Sequence, residues 1–105
     1  MFATIRRYVD LPGSVVARVG ALAPVIGDVL SGAPGFCDCR LIQTREGLVV
    51  VLSARDEASV VECGRRFAAW LDRHVEGFRA VAPPEIWTGD ALIAASLDAR
   101  VTGPP

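Results

Sequence analysis

FCDCRLIQTREGLVVVLSA, residues 36–54, contains the two strands and the turn that decide the fold. Its second half, Leu48 to Leu52, is an unbroken apolar run followed by Ser53 and Ala54, and such a run is typical of a central strand buried on both faces. Residues 36–44 are predicted to form the preceding strand. Residues 44–47 are predicted to form a tight hairpin turn, with Gly47 in the left-handed conformation.

An amphipathic helix is predicted on each side of this hairpin. Before it, apolar residues recur at spacings of four, three, four and three, with Ser14 as the N-cap and Pro24 expected to kink or split the helix. The residues of this stripe are Val15, Val19, Leu22, Ile26 and Val29. After it, Asp56 is predicted to cap a second helix. The apolar stripe of that helix consists of Val60, Cys63/Gly64, Phe67, Trp70/Leu71 and His74/Val75.

The outermost segments complete a βαββαβ order. Residues 2–9 are rich in β-formers and are predicted as the first strand, and residues 85–95 as the fourth. This order predicts an α+β, ferredoxin-like sheet with both helices on one face. Residues 1–96 are expected to form a single domain and residues 97–105 a loosely held tail.

The second face of such a sheet is left without a cover. The third strand is apolar on both faces, and both alternate sets of residues in the first strand include apolar side chains. An apolar sheet face of this size exceeds what monomers usually expose. The sequence therefore predicts a homodimer in which two identical sheets pack face to face about a twofold axis.

Composition narrows the possible partners. A net charge of −1 gives no electrostatic basis for nucleic-acid binding, and no apolar run is long enough to suggest a membrane partner. Three cysteines, an odd number, favour a reducing cytoplasm. No metal site is expected, because His74 lies about 16 Å from Cys63 along one helix and four ligands cannot converge. No motif for a cofactor is present.

Several short segments resemble one family when taken in order. They are Arg6-Arg7-Tyr8, Pro34-Gly35-Phe36, 65–70 (RRFAAW), and Pro83-Pro84-Glu85-Ile86 with Gly89. In this order the chain resembles small bacterial members of the antibiotic biosynthesis monooxygenase (ABM)-like group of dimeric α/β barrels. The resemblance covers nearly the whole chain and implies the same ferredoxin-like fold and dimer.

The wider superfamily implied by this resemblance includes cofactor-free monooxygenases and haem-degrading monooxygenases, and Trp70 matches a Trp on the second helix of both. The haem-degrading enzymes add an Asn on the first strand and a His well downstream, whereas this chain has no Asn and His74 follows Trp70 by four residues. The cofactor-free enzymes have an Asn one turn before the Trp, where this chain has Arg66. Neither catalytic set carries over.

The candidate site residues have structural as well as functional interpretations. Trp70 and His74 are the candidate catalytic residues, although the pattern favours the structural alternatives, a core Trp and a helix-end His half in solvent. The candidate ligand-binding residues are Arg6, Tyr8, Phe67 and Arg40. The strand arginines need partners, and Asp38, Glu85 or an anionic ligand could supply them.

Three functional hypotheses follow, and the sequence leaves open whether the protein is an enzyme. The first is an ABM-like protein that binds a small organic molecule, for example an aromatic one, between sheet and helices. The second is a cofactor-independent monooxygenase acting on an aromatic or polycyclic substrate. The third is a structural or regulatory homodimer without catalytic activity.

Overall fold

Four strands and three helices follow one another in the part of the chain that the structure, a computed structural model, describes: residues 1–78 and 83–92. They are β1 (Phe2–Val9), α1 (Gly13–Ala21), α2 (Ala23–Ser31), β2 (Phe36–Gln43), β3 (Gly47–Ala54), α3 (Glu57–His74) and β4 (Glu85–Asp90). The predicted order of strands and helices is confirmed. The fourth strand is shorter than predicted, and residues 93–95 and the predicted tail lie outside the described residues.

The four strands form one antiparallel sheet in the order β2-β3-β1-β4. The apolar run of β3 therefore occupies a central position, as predicted, and β2 and β4 form the edges. The pairing of β2 with β3 shifts register between Phe36 and Asp38, which places a bulge at the start of the β2 edge. The ferredoxin-like α+β prediction is confirmed.

The sheet has two faces of different character, here called inner and outer. The inner face lies against the helices and carries Leu48, Val50, Leu52 and Ala54 of β3, all of which are buried. α3 packs on β3 and β1, and α2 packs on β2. The outer face carries the alternate residues of each strand, and no helix in the described residues covers it.

The helix before the hairpin is split at Pro24, as the sequence predicts. α1 ends at Ala21, Leu22 lies between the two helices, and the axes of α1 and α2 meet at 55°. Pro24 stands in the first turn of α2, where its missing N–H has no intrahelical acceptor to lose.

Two local predictions are wrong. α1 begins two residues earlier than predicted, because the Pro12 carbonyl accepts the first helical N–H groups, so Ser14 lies inside the first turn and caps nothing. Gly47 is not left-handed; the Thr44 hydroxyl closes the hairpin by accepting the Gly47 N–H at 3.0 Å. A glycine is needed at position 47 for a different reason: a Cβ there would clash with the carbonyl oxygen of Tyr8.

The N-cap of α3 is confirmed. The Asp56 carboxylate accepts the Ser59 N–H at 2.8 Å, and this bond lowers the pKa of Asp56. Within the described residues no single helix has the length and apolar character to cross a membrane. The bent α1–α2 pair meets that length and composition test only when its two parts are counted together.

Candidate functional site

The adjacent arginines of β1 point to opposite faces of the sheet, as strand alternation requires. Arg7 lies on the outer face, where Nη2 donates to Glu46 Oε2 at 2.7 Å and Nη1 donates to Glu85 Oε1 at 3.5 Å. Glu85 was a predicted partner of the strand arginines, and this prediction is confirmed. Arg6 lies on the inner face, and no ion pair satisfies it within residues 1–78 and 83–92.

The guanidinium of Arg6 is inserted between β1 and α3. A Cβ added to Gly64 would lie 2.5 Å from Arg6 Nη2 and 3.3 Å from Cζ, so the guanidinium contacts the bare backbone of α3 at this glycine. Arg6 Nε is buried and has no hydrogen-bond partner. A buried, unpaired donor on a cationic group costs free energy, which makes Arg6 the least satisfied polar side chain of the described sheet.

The strip of the inner face beside Arg6, between α3 and the edge strand β4, is open to solvent, since every residue of β4 is exposed. Ile86 of β4 is opposite Arg6 in the register and is 50% exposed, so the helices do not cover this end of the inner face. On α3, Val61, Gly64 and Ala68 follow one another at spacings of three and four and share one side of the helix, and Val61 is 59% exposed. We call this the α3–β4 groove; its residues are Arg6, Val61, Gly64, Ala68, Ile86 and Thr88.

Tyr8 lies further along the same inner row and is almost fully buried. Its ring packs against Phe78 with centroids 5.0 Å apart. Burial raises the pKa of the Tyr8 phenol, while the hydrogen bond and charge of the adjacent Arg6 guanidinium act in the opposite direction. Phe67 is 1% exposed and belongs to the core beneath α3. Tyr8 therefore contacts the Arg6 guanidinium through its phenol, whereas Phe67 packs in the core.

Trp70 and His74 lie on the other flank of α3. Their rings stack with centroids 4.5 Å apart, Trp70 is half-buried and His74 is exposed. Six residues separate Trp70 from Gly64, which at about 100° per residue turns the two side chains about 120° apart around the helix. His74 instead lines a cleft of about 350 Å³ with Ser14, Val15, Arg18 and Glu76.

The structure therefore separates the six predicted site residues into groups. Arg6 and Tyr8 are adjacent on the inner face, Trp70 and His74 form a pair toward α1, and Phe67 lies in the core. Arg40 is on the outer face, where its Nε lies 3.4 Å from Asp38 Oδ2, the partner that the sequence offered. Arg40 is thus on the opposite side of the sheet from the other five.

The three cysteines are free thiols. Cys63 is fully buried in the core, and burial raises the pKa of Cys39 to about 11 and also raises that of Cys63. These two thiols are therefore protonated and weak as metal ligands or nucleophiles at neutral pH. Among the residues that the structure describes, no three His, Cys, Asp or Glu side chains are placed to hold a metal ion.

Sequence analysis missed the functional meaning of Gly64. A glycine in a helix interior costs about 1 kcal/mol relative to alanine, so its presence inside α3 was a signal of close approach by another group. Ile86 and Thr88 were assigned only to a strand, because a strand pattern does not show which of its faces a helix leaves open.

Comparison with known proteins adds the fold context. No protein-family model matches the sequence, and no curated protein matches it. Solved structures do match. A Nitrosomonas europaea protein provisionally described as an antibiotic biosynthesis monooxygenase has a TM-score of 0.63 at 12% identity, covering 89% of this chain and 100% of its own.

Two further structures show the range of proteins with this fold. A variant of SnoaB, a cofactor-independent oxygenase from Streptomyces nogalater, has a TM-score of 0.60 at 17% identity, covering 89% of this chain and 94% of its own. A variant of MhuD with two manganese protoporphyrin IX molecules per active site has a TM-score of 0.62 at 13% identity. That match covers 91% of this chain and 99% of the other.

At these identities the comparisons show the fold alone. The chain has the same ferredoxin-like α+β fold as these structures.

Proposed function

We propose that this ABM-like chain binds a small organic molecule in the α3–β4 groove. The observation that carries the proposal is the Arg6 guanidinium, which lies at the base of the groove with a buried and unpartnered Nε. Exposed apolar side chains on both walls, Val61 and Ile86, would pack against a flat ligand. A small number of placed polar groups among apolar walls is the usual composition of a ligand site.

The groove can be tested by NMR titration of the labelled protein with a panel of small aromatic compounds. We expect amide shifts at Gly64, Ala68 and Ile86. The variant Ala68→Phe fills the groove and should weaken binding by tenfold or more, whereas Ala69→Phe, one residue along on the exposed side of α3, should not. Shifts confined to the Ser14 and His74 cleft, or no binding by any compound, would contradict the proposal.

The same proposal includes a homodimer formed through the outer face. The middle row of that face runs across the sheet as Arg40, Val51, Ile5 and Trp87. Ile5 is 41% exposed and Trp87 is 51% exposed. Salt-bridged pairs flank these apolar side chains, Arg7 with Glu46 and Glu85 on one side and Arg40 with Asp38 on the other. An apolar centre with a charged rim is the composition of a protein interface.

A cytoplasmic location belongs to the same proposal. Cys37, Cys39 and Cys63 form no disulfide, and Cys37 is exposed. Exposed thiols persist in reducing compartments. A free-thiol count of the protein isolated from its native cells would test this point.

Cofactor-independent oxygenation is the second candidate, and the Trp70–His74 ring pair is the observation in its favour. His74, the one imidazole of the chain, is open to solvent in a cleft and could remove a proton. An anthrone-like carbanion would then reduce oxygen directly, so that R₂CH₂ + O₂ gives R₂C=O + H₂O. Arg66, at the position of the Asn in cofactor-free enzymes, is bound to Glu62 Oε1 and to the Gly32 carbonyl, at 3.1 and 3.4 Å.

Oxygen uptake with a hydroxyanthrone substrate tests this second candidate. Loss of uptake in His74→Ala and Trp70→Phe, with uptake retained in Arg45→Ala, an exposed position in the β2–β3 turn outside that cleft, would support it. No uptake by the wild-type protein would exclude it for this substrate class.

Haem does not fit the α3–β4 groove, because none of the six residues that define it is an axial-ligand type. Iron needs an axial His, Cys, Met or Tyr. His74 stacks on Trp70 in a cleft shared with Arg18 and Glu76, on the flank of α3 away from the α3–β4 groove. Tyr8 is buried against Phe78. A haem titration should therefore produce no Soret shift.

A further inference from the structure

The occupant of the α3–β4 groove must satisfy Arg6, and this requirement defines its chemistry. An arginine is charged at any physiological pH and carries five N–H donors in a planar fork. Arg6 is half-buried, its Nε is buried without a hydrogen-bond partner, and no ion pair joins it to a described carboxylate. Leaving such a donor unpaired is unfavourable. The neighbouring polar side chains of the inner rows are hydroxyls: Tyr8 beside Arg6, and Thr4 with Thr88 one row away.

These hydroxyls cannot replace an anion. Thr4 Oγ1 already donates to the Trp87 carbonyl at 3.1 Å and accepts from Thr88 Oγ1 at 3.2 Å. The Tyr8 phenol carries no charge at neutral pH, because its ordinary pKa is 10.0 and burial raises it further. Among the described residues Arg6 forms no ion pair, and the carboxylate of Asp72 acts through its charge on the Tyr8 phenol.

Gly64 determines whether Arg6 can occupy its position. The Arg6 guanidinium lies so close to the α3 backbone at Gly64 that even a methyl group at this position would displace Nη2. A glycine inside a helix is unfavourable by itself. At position 64 it lets the Arg6 guanidinium lie close to the α3 backbone. A site that was only a hydrophobic core would gain stability from alanine here.

We propose that the α3–β4 groove is selective for aromatic or conjugated oxyanions, that is carboxylates, phenolates or enolates, with Arg6 as the anion-binding residue and Gly64 as the residue that gives it room. This inference rests on the proposed function and adds a substrate class to it. The ring of the ligand would lie between Val61 and Ile86, and its oxyanion would accept from the Arg6 fork. For an ionisable ligand, Arg6 would favour the deprotonated form.

The experiment compares two isosteric probes, 2-naphthoate and 2-naphthamide, by isothermal titration calorimetry at neutral pH. The same ring is presented with and without charge. Because a hydrogen bond to a charged group contributes more than a neutral one, we expect naphthoate to bind at least about tenfold more tightly to the wild-type protein. Arg6→Gln should abolish this preference and leave the naphthamide affinity nearly unchanged.

Arg18→Gln is the matched control, because it removes the same charge from the cleft that contains His74. It should preserve the preference for naphthoate. Gly64→Ala gives a second, independent variant: its Cβ displaces the guanidinium, so the preference should fall while Arg6 is still present. If Arg6→Gln does not fold by circular dichroism, Gly64→Ala decides the question.

The outcomes separate this inference from the proposed function. Equal binding of the two probes to the wild type would overturn the anion selectivity and leave the groove as a neutral ligand site. A preference lost in Arg18→Gln and retained in Arg6→Gln would also overturn it. Binding of neither probe, together with a negative aromatic panel, would remove the proposed function and the inference with it.

Discussion

The two faces of the sheet follow the same strand alternation and yet differ in what they leave unsatisfied. The inner face is apolar and buried where the helices cover it, but it holds Arg6, whose Nε is a buried donor that no described residue satisfies. The outer face is half exposed, but its middle row carries Ile5, Val51 and Trp87. The unpaired donor of Arg6 on the inner face and the exposed apolar row on the outer face are both unfavourable in an isolated chain, and each is a candidate binding surface. The Arg6 guanidinium favours binding of a small anion, and the apolar row of the outer face favours packing against a second copy of the chain.

The largest expected effect contrasts one aromatic side chain from each face. In an Ile5→Glu background, which should be monomeric, Phe67→Ala is expected to lower the free energy of unfolding by about 3–5 kcal/mol, because Phe67 is fully buried and the cavity cannot close. Trp87→Ala in the same background should cost about 1 kcal/mol or less. Urea unfolding measures both, and equal losses would mean that the faces do not differ as described.

The second effect concerns association. Ile5→Glu places a charge in the centre of the outer face and should raise the dimer dissociation constant by about a hundredfold or more, equivalent to about 2.7 kcal/mol. Val25→Glu changes an equally exposed valine on α2 and should leave the dimer intact. Light scattering should give about twice the 11.1 kDa chain mass for the wild type and for Val25→Glu. A wild-type monomer at micromolar concentration would refute the proposed homodimer.

The third prediction tests whether Arg6 lowers the stability of the ligand-free protein. Arg6→Met keeps the length of the side chain and removes the buried, unsatisfied donor, so the free energy of unfolding should rise by about 1 kcal/mol. Arg18→Met, at an exposed position on α1, should change it by less than about 0.5 kcal/mol. Thermal unfolding of the ligand-free protein gives both values. A clear loss of stability in Arg6→Met would show that Arg6 is a structural residue.

The smallest effect lies in the helix layer above the inner face. The hydrogen bonds from Arg65 and then Arg66 lower the pKa of Glu62 from 4.5 to about 2. A carboxyl whose pKa is lower in the folded state stabilises the fold above its unfolded pKa and loses that contribution as the pH falls. Stability should therefore decline between about pH 4.5 and about pH 2, and less steeply in Glu62→Gln. Identical pH profiles for the two proteins would contradict this assignment.

Much of the fold was predictable because it depends on local patterns. The apolar run of β3, the helical stripes and the Asp56 cap lie in short stretches of sequence, and their positions in the structure agree with the prediction to within one or two residues. Ser14 and Gly47 were wrong for a common reason. Each was assigned the most frequent local role of its residue type, whereas Pro12 and the carbonyl of Tyr8 decided the outcome.

The site was less predictable because it depends on which flank of α3 faces which strand. A stripe of apolar residues shows that a helix has a buried side, but not which neighbours lie to its left and right. Trp70 and His74 were therefore grouped with Arg6, although α3 directs the pair toward α1 and directs Gly64 toward Arg6. Arg40 was assigned to the same ligand site because strand alternation in β2 could not be tied to the helix layer.

The bulge at the start of β2 has a consequence for how far assembly can proceed. A straight, unpaired edge strand would let sheets add to one another side by side without limit, as in fibrils. Here one edge is distorted between Phe36 and Asp38, and the other edge, β4, begins at Glu85 and ends at Asp90. Edge-to-edge growth is thus disfavoured at both ends. In the proposed homodimer, stacking through the outer face would use up that face in one step, so the assembly would close at two subunits.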